Sequence, residues 1–266
     1  MVFTIKLAIN YIIHWCRAYS PKGYGIHSPL VFDFTQKVLC RESMDEPLSR
    51  IDALRRRIIS SEGHLVPVGC EGAACKDTRY TTASELARYS SATPRLGRLL
   101  YGIARWSGAQ NILELGTSVG LGALYLGLAS SSARVITLEG DPHRASLARR
   151  NFAEMGASSI ELLQGSFSDT LSQALASLGK LDLLYMDGNH RGDATLMHFE
   201  ACYHHLHPRS VVVIDDIRWS DDMHWAWQQL RNDPRVSASI DLFRVGILLF
   251  RERMPKQHFE IKCWLY

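Results

Sequence analysis

A chain of 266 residues, 46% hydrophobic and 21% charged, can bury a full core as one α/β domain with an appendage. A formal net charge of +3 and a sequence pI of about 8.5 are too mild to argue for nucleic acid. The six cysteines, at positions 16, 40, 70, 75, 202 and 263, make neither a CxxC pair nor a zinc spacing. They read as free thiols in a reducing cytoplasm.

Residues 1–108 lack the strand–helix alternation of the rest. Helical patterns fall at 2–18, 28–41, 47–60 and 94–106, and together they predict a helical N-terminal extension. In the first helix Lys6, Asn10, His14 and Arg17 interrupt an apolar stretch at helical spacing, forming one polar stripe. The stretch is too polar and slightly short for a transmembrane segment, and no convincing small-residue cleavage site follows it. An amphipathic helix packed on the domain or on a second subunit is the expectation, which makes a homodimer plausible; membrane-surface attachment is the alternative. Between 61 and 82 the chain is rich in Gly, Ala, Thr and charge. It reads as a loop or lid over a site, with Tyr80, Thr81 and Thr82 within reach of a ligand.

From Asn111 the rhythm becomes βαβαβαβαβ, with strands at 111–115, 134–139, 159–163, 181–187 and 210–215. Helices in the gaps then cover both faces of a parallel sheet. The first strand carries Glu114 inside an apolar run and stops at Gly116; a helix-like run follows from Gly120 to Ala129. The loop Gly116-Thr117-Ser118-Val119-Gly120-Leu121-Gly122 has the glycine pattern G-x-x-x-G-x-G. A dinucleotide fingerprint would need glycine where Ser118 stands, so a nicotinamide reading loses its most diagnostic residue. What remains lets a ligand approach the backbone closely. Glu114 suits a ligand with an ammonium or sulfonium charge. The second strand ends in Glu139, placed to accept hydrogen bonds from ribose hydroxyls; the bland reading is a solvated loop acid ahead of the helix start Asp141-Pro142. After helix 142–155, the third strand leads to Ser166 and Phe167, and Phe167 is readable as core under helix 168–178.

The fourth strand ends in Asp187-Gly-Asn-His190 and the fifth in Asp215-Asp216. Ligands of open parallel sheets lie outside the carboxyl ends of the strands. Three acids gathered there repel one another unless a cation or proton intervenes, and hard oxygen ligands suit Mg²⁺. The bland alternative has Asp215 or Asp216 capping the helix that begins near Ser220. Helix 193–207 ends in Tyr203-His-His-Leu-His207, where histidines favour the helix dipole over a metal. In a helix over 220–232, Trp225 and Trp227 cannot face the same way, so one packs inward and one can edge an acceptor pocket. Runs 236–242 and 245–251 are joined too closely for a crossover and must pair antiparallel or leave the sheet. The tail 256–266 forms an edge strand or a cover.

These motifs resemble motif I and the strand-end acids of the class I, Rossmann-like S-adenosylmethionine-dependent methyltransferases. Asp187, Asp215 and Asp216 stand where catechol and caffeoyl-CoA O-methyltransferases hold Mg²⁺, and D-G-x-H with D-D is closer still to macrocin-type bacterial O-methyltransferases. The resemblance extends to Gly23-Tyr-Gly-Ile-His-Ser-Pro29 and to the region 215–250, nearly the whole chain. It implies a mostly parallel seven-stranded sheet with helices on both faces and a terminal antiparallel hairpin, over 109–266, behind the helical extension or lid of 1–108. It implies S-adenosylmethionine bound by Glu114, Gly116, Thr117, Ser118, Gly120, Gly122, Glu139, Ser166, Phe167 and Asp187. It also allows Mg²⁺ on Asp187, Asp215 and Asp216, with catalysis by Asp187 and His190. His190 departs from the family, whose catalytic group at that place is Lys. The expected reaction is methylation of a small-molecule hydroxyl by a cytoplasmic enzyme, without nucleic acid. A metal-independent N-methyltransferase and a non-catalytic S-adenosylmethionine-binding module are the rivals. The absence of an N-P-P-Y-like run at the fourth strand end counts against the base-methylating form of the first.

Overall fold

The computed structural model of the chain describes residues 5–40, 45–61, 65–68 and 79–265, with 65–68 and 79–80 as backbone only. The chain divides into two compact units, Met1–Arg41 with Lys180–Leu265, and Glu42–Gly179. This division falls elsewhere than the boundary at residue 108 suggested by the strand–helix rhythm, because the first helices pack with the C-terminal half.

In the Glu42–Gly179 unit, helix α3 (Glu46–Ser60) precedes a hairpin of β1 (Leu65–Val68) and β2 (Arg79–Thr82), paired antiparallel. The composition of 61–82 predicts a loop, and the structure places strands at its ends. The ends of that stretch carry Leu65, Val66, Val68, Thr81 and Thr82, residues suited to a pleated ladder, while its Gly- and Ala-rich middle lies outside the described residues. Helix α4 (Ala83–Tyr89) follows at once, started by a capping box in which the Thr82 hydroxyl accepts from the Glu85 amide and the Glu85 carboxylate accepts from the Thr82 amide. Thr81 also donates to Glu85 at 2.9 Å, so both threonines serve the helix start. The Tyr80 side chain, Cys70 and Cys75 fall outside what is described.

Helix α5 (Pro94–Ser107) then leads into β3 (Asn111–Leu115), α6 (Leu121–Gly127), β4 (Arg134–Glu139), α7 (Pro142–Met155), β5 (Ile160–Gln164) and α8 (Phe167–Leu178). Helix α7 begins as the sequence suggests: Asp141 accepts from the amides of His143 and Arg144, Pro142 supplies the first turn, and Gly156 closes it in left-handed backbone. Strands β3, β4 and β5 pair in parallel in that order. Both faces of β3 and β4 are buried, which explains their near-continuous apolar runs.

In the other unit, α1 (Ile5–Arg17), α2 (Pro29–Phe34) and a π-helical turn (Thr35–Leu39) precede β6 (Leu183–Met186), α9 (Gly192–Tyr203), β7 (Val211–Ile214) and α10 (Asp221–Asn232). Strands β8 (Ala238–Asp241) and β9 (Gly246–Leu249) form the expected antiparallel pair, and β9 inserts between β7 and β8. The tail adds β10 (Gln257–Glu260), parallel to β8, so β3 to β10 number eight strands instead of the expected seven. Strand β7, Val211-Val-Val-Ile214, is wholly β-branched and buried on both faces. Of α1's proposed polar stripe, His14 turns inward and is buried.

Candidate functional site

The glycine loop of the Glu42–Gly179 unit is a tightly held left-handed turn. Gly116, Ser118 and Gly120 have φ of 104°, 52° and 86°. Ser118 thus keeps the conformation that glycine would favour at that place, at a strain of order 1 kcal/mol or more. The carboxylate of Glu139 offsets it: one oxygen accepts from the Ser118 amide at 2.7 Å and the other from the Asp141 amide at 3.0 Å. The Ser118 hydroxyl pairs with that of Ser91 at 3.1 Å. A Cβ on Gly120 would lie 2.5 Å from the Phe152 ring, so that position requires glycine for space as well as for φ. Gly122 is buried inside α6.

Beneath the loop, the register of β3 on β4 sets Glu114 opposite Thr137. The Thr137 hydroxyl reaches Glu114 Oε2 at 2.5 Å and the Thr117 hydroxyl at 2.6 Å, tying strand to loop. Glu114 is buried, and its burial pushes the carboxyl up to about 8, with the charge of Glu139 adding and the Thr137 hydrogen bond opposing. A neutral acid under a glycine loop can receive a cationic group and become its counter-charge. Thr137 escaped sequence reasoning; the strand register is the signal that finds it. At the tip of β5, Ser166 bonds Ser168 and Asp169, each at 2.6 Å, and Phe167 is buried in the first turn of α8.

In the other unit, the ends of β6 and β7 bring acids together with an arginine. Arg244 grips Asp215 with two hydrogen bonds, Nε to Oδ1 at 2.9 Å and Nη2 to Oδ2 at 2.7 Å, and its Nε lies 3.3 Å from Asp216 Oδ1. Asp215 is fully buried and also accepts from the Asp216 amide at 2.9 Å. Against the cost of burial, Asp215 and then Asp216 hold the guanidinium firmly charged. Burial, with Asp215 adding, pushes Asp216 up to about 7. Burial, then Asp215 and Asp216, raise Asp187 well above the carboxylate range, while Tyr185 donates to Asp187 Oδ2 at 2.9 Å.

His190 Nε2 lies 3.9 Å from Asp187 Oδ1, beyond hydrogen-bond range, and its ring faces half-exposed Trp219 at 5.6 Å between centroids. Burial lowers its pKa below the usual 6.5, so the ring is neutral near pH 7 with a free lone pair. Asn189, His190 and Asp216 all have left-handed backbone, with φ of 69°, 38° and 50°. Such conformations concentrate where function requires them.

This arrangement departs from the expected Mg²⁺ site. Among the described residues, Asp187, Asp215 and Asp216 do not each bring an oxygen within 4.8 Å of the others; His14, Asp241 and Glu260 do. Both Asp215 oxygens already serve Arg244, which leaves that carboxylate without a free oxygen for a metal. The second triad is no better as a metal site. Asp241 is filled by a fork from Arg218 at 2.7 and 2.8 Å, the Trp227 indole at 3.0 Å and the Phe243 amide at 2.8 Å. Trp227 is accordingly the inward tryptophan of α10, and Trp225 the half-exposed one. His207 pairs with Asp182, the residue before β6, at 2.9 Å.

Residues 113–217 match the model of a family described as a methyltransferase domain. A catechol O-methyltransferase of Niastella koreensis is 33% identical over 102 residues, 37% of this chain and 46% of that one. The chain spans about half the length of the curated relatives it matches. Among solved structures, the O-methyltransferase TomG from Streptomyces achromogenes, involved in tomaymycin synthesis and in complex with S-adenosylmethionine, aligns with TM-score 0.56 at 20% identity, over 83% of this chain and 95% of that one. An O-methyltransferase from Bacillus cereus in complex with S-adenosylhomocysteine aligns with TM-score 0.54 at 19% identity, over 78% of this chain and 92% of that one. The fold is therefore the Rossmann-like methyltransferase fold, as the sequence resemblance implied.

Proposed function

We propose that the protein transfers a methyl group from S-adenosylmethionine to a hydroxyl of a small molecule. The glycine loop carries the reading: a left-handed turn over β3 and β4, tied by Glu139 and backed by a buried neutral Glu114, offers backbone to a ligand and an acid to its cation. In this reading Gly116 to Gly122 hold the methionine part, Glu139 the ribose, and Ser166 and Phe167 the adenine. The names of the relatives favour oxygen over nitrogen as acceptor.

The reaction is an in-line displacement. The acceptor oxygen forms a bond to the methyl carbon as the carbon–sulfur bond breaks, and the electron pair of that bond stays on sulfur, leaving a neutral thioether. His190, neutral near pH 7, accepts the hydroxyl proton. Arg244 occupies Asp215 where a metal was expected, so the reading is metal-independent.

The test is titration calorimetry with S-adenosylmethionine, followed by methyl transfer to a panel of catechols and phenols with and without EDTA. Binding is expected, and turnover that survives EDTA. His190→Gln should lower kcat by about 10²–10⁴-fold while leaving cofactor affinity intact. The acid limb of the wild-type profile should lie below pH 6.5, following the lowered pKa of His190. Failure to bind the cofactor would sink the assignment; activity abolished by EDTA and restored by Mg²⁺ would sink its metal-free form.

A further inference from the structure

Helix α1 has two apolar faces. Leu7, Tyr11, His14 and Ala18 follow the i, i+4, i+7 spacing of the packed side, and Leu7, His14 and Ala18 are buried. Ile5, Ile9 and Ile12 repeat the same spacing on the opposite side, with Ile13 next to them, and all four are exposed, Ile5 at 82% and Ile12 at 61%. A helix resting on a domain ordinarily turns polar residues outward there. Half-exposed Trp15 and Trp264 both pack on Tyr11, with ring centroids at 5.8 and 5.7 Å, and border this face. Six of the thirteen large apolar side chains left exposed among the described residues, Ile5, Ile9, Ile12, Ile13, Trp15 and Trp264, lie on this face or border it. Scattered exposure needs no explanation, but a single concentration of it marks an interaction surface.

Charge identifies the occupant. Lys6, Arg17 and Lys22 are the only Lys, Arg, Asp or Glu residues before Asp33, so this segment alone matches the chain's formal excess of +3. Lys6 is paired with Asp221, while Arg17 and Lys22 have no acid within their own segment. Lys262 adds a third cation, its ammonium 5.5 Å from the Trp15 ring. Isoleucines between cations, with tryptophans at the edge, are the composition of a helix lying in a lipid headgroup region. A symmetric contact with a second copy would set the patch and its cations against themselves. No described helix is long and apolar enough to cross a membrane, so the contact is superficial.

We propose that the isoleucine face of α1 seats the protein on an anionic membrane surface. The 13-residue helix lies parallel to it for about 20 Å, with Arg17, Lys22 and Lys262 toward the lipid phosphates. The test is co-sedimentation of the full chain with vesicles of phosphatidylglycerol and phosphatidylcholine, against vesicles of phosphatidylcholine alone. Three cations predict a preference on the order of a hundredfold for the anionic vesicles, weakening as salt rises. The pair Ile9→Glu and Ile12→Glu, both on exposed positions, should abolish it with circular dichroism unchanged. Arg17→Gln with Lys22→Gln should reduce it while leaving the apolar face intact. Equal partition onto both vesicle types, or none, overturns the proposal. So does a concentration-dependent dimer in analytical ultracentrifugation that the two glutamates dissolve, accompanied by no vesicle binding; that outcome would assign the face to a second copy.

Discussion

Arg244 bonds both oxygens of Asp215 within the acid cluster. The sequence presents Asp187, Asp215 and Asp216 as a set of like charges needing a cation, and Mg²⁺ is the expected one. The cation the protein supplies is a guanidinium, brought in by the hairpin that sets Gly246 opposite Ile214 and the Arg244 carbonyl opposite the Ile217 amide. Removing one partner of a buried ion pair leaves the other uncompensated, so Arg244→Met should cost about 3–5 kcal/mol in urea unfolding. Adding Asp215→Leu should recover most of that loss. A loss below about 1 kcal/mol in the single variant would mean that the pair is not held as described. Nothing near Asp215 in the chain announces Arg244, which lies 29 residues on. Its partnership follows from strand pairing, a contact across sequence distance that residue spacing alone does not encode.

The loop from β3 into α6 depends on two different kinds of constraint. Gly120 must be glycine because its φ is 86° and because Phe152 of α7 fills the space a Cβ would take. Gly120→Ala should therefore destabilise the fold by about 1–3 kcal/mol through strain and overpacking. It should also weaken S-adenosylmethionine binding more than Gly108→Ala, whose Cβ would meet nothing within 4 Å at a comparable φ of 66°. Equal effects of the two substitutions on calorimetric affinity would remove the loop from the cofactor site. The position of this loop is legible because glycine, strand and helix signals coincide. Its conformation at Ser118 is not: serine there argues only against a dinucleotide fingerprint, and it is amide donation to Glu139 and the hydroxyl contact with Ser91 that maintain the left-handed turn. The β1–β2 hairpin is hidden for a different reason: the Gly- and Ala-rich stretch between its strands dominates the composition of 61–82, while the pairing residues lie at the ends.

For the molecule as a whole, buried carboxyls set the dependence of stability on pH. Glu114 is raised from an unfolded value near 4.5 to about 8, and Asp216 from 3.8 to about 7. In each case the folded state binds more protons than the unfolded state between the two values. Stability is thus fully present below the unfolded pKa and falls as pH rises toward the folded one, by up to about 1.4 kcal/mol per pH unit for each group. His14 and His190, lowered by burial, act oppositely: they cost stability as pH falls below 6.5. Glu114→Gln should isolate the first effect. Guanidinium unfolding midpoints across pH 5–8 should decline less steeply in the variant than in the wild type, and parallel curves would show that Glu114 does not titrate in that window. A cationic ligand bound beside Glu114 should lower its pKa and release a proton, detectable as a buffer-dependent heat.

Local signals suffice for the order of elements, the glycine loop, the caps at Asp141 and Gly156, and the acids at the strand ends. Each depends on a few neighbouring residues whose conformational preferences or burial act over one turn or one strand. Those signals also carried the resemblance that gave the fold. Tertiary structure alone decided what those groups face: Thr137 under Glu114, Arg244 on Asp215, His14 inside rather than on the polar stripe, and β10 beside β8. These outcomes depend on register and on burial between segments far apart in the chain, where the energy belongs to a pair of residues and neither member specifies it by itself.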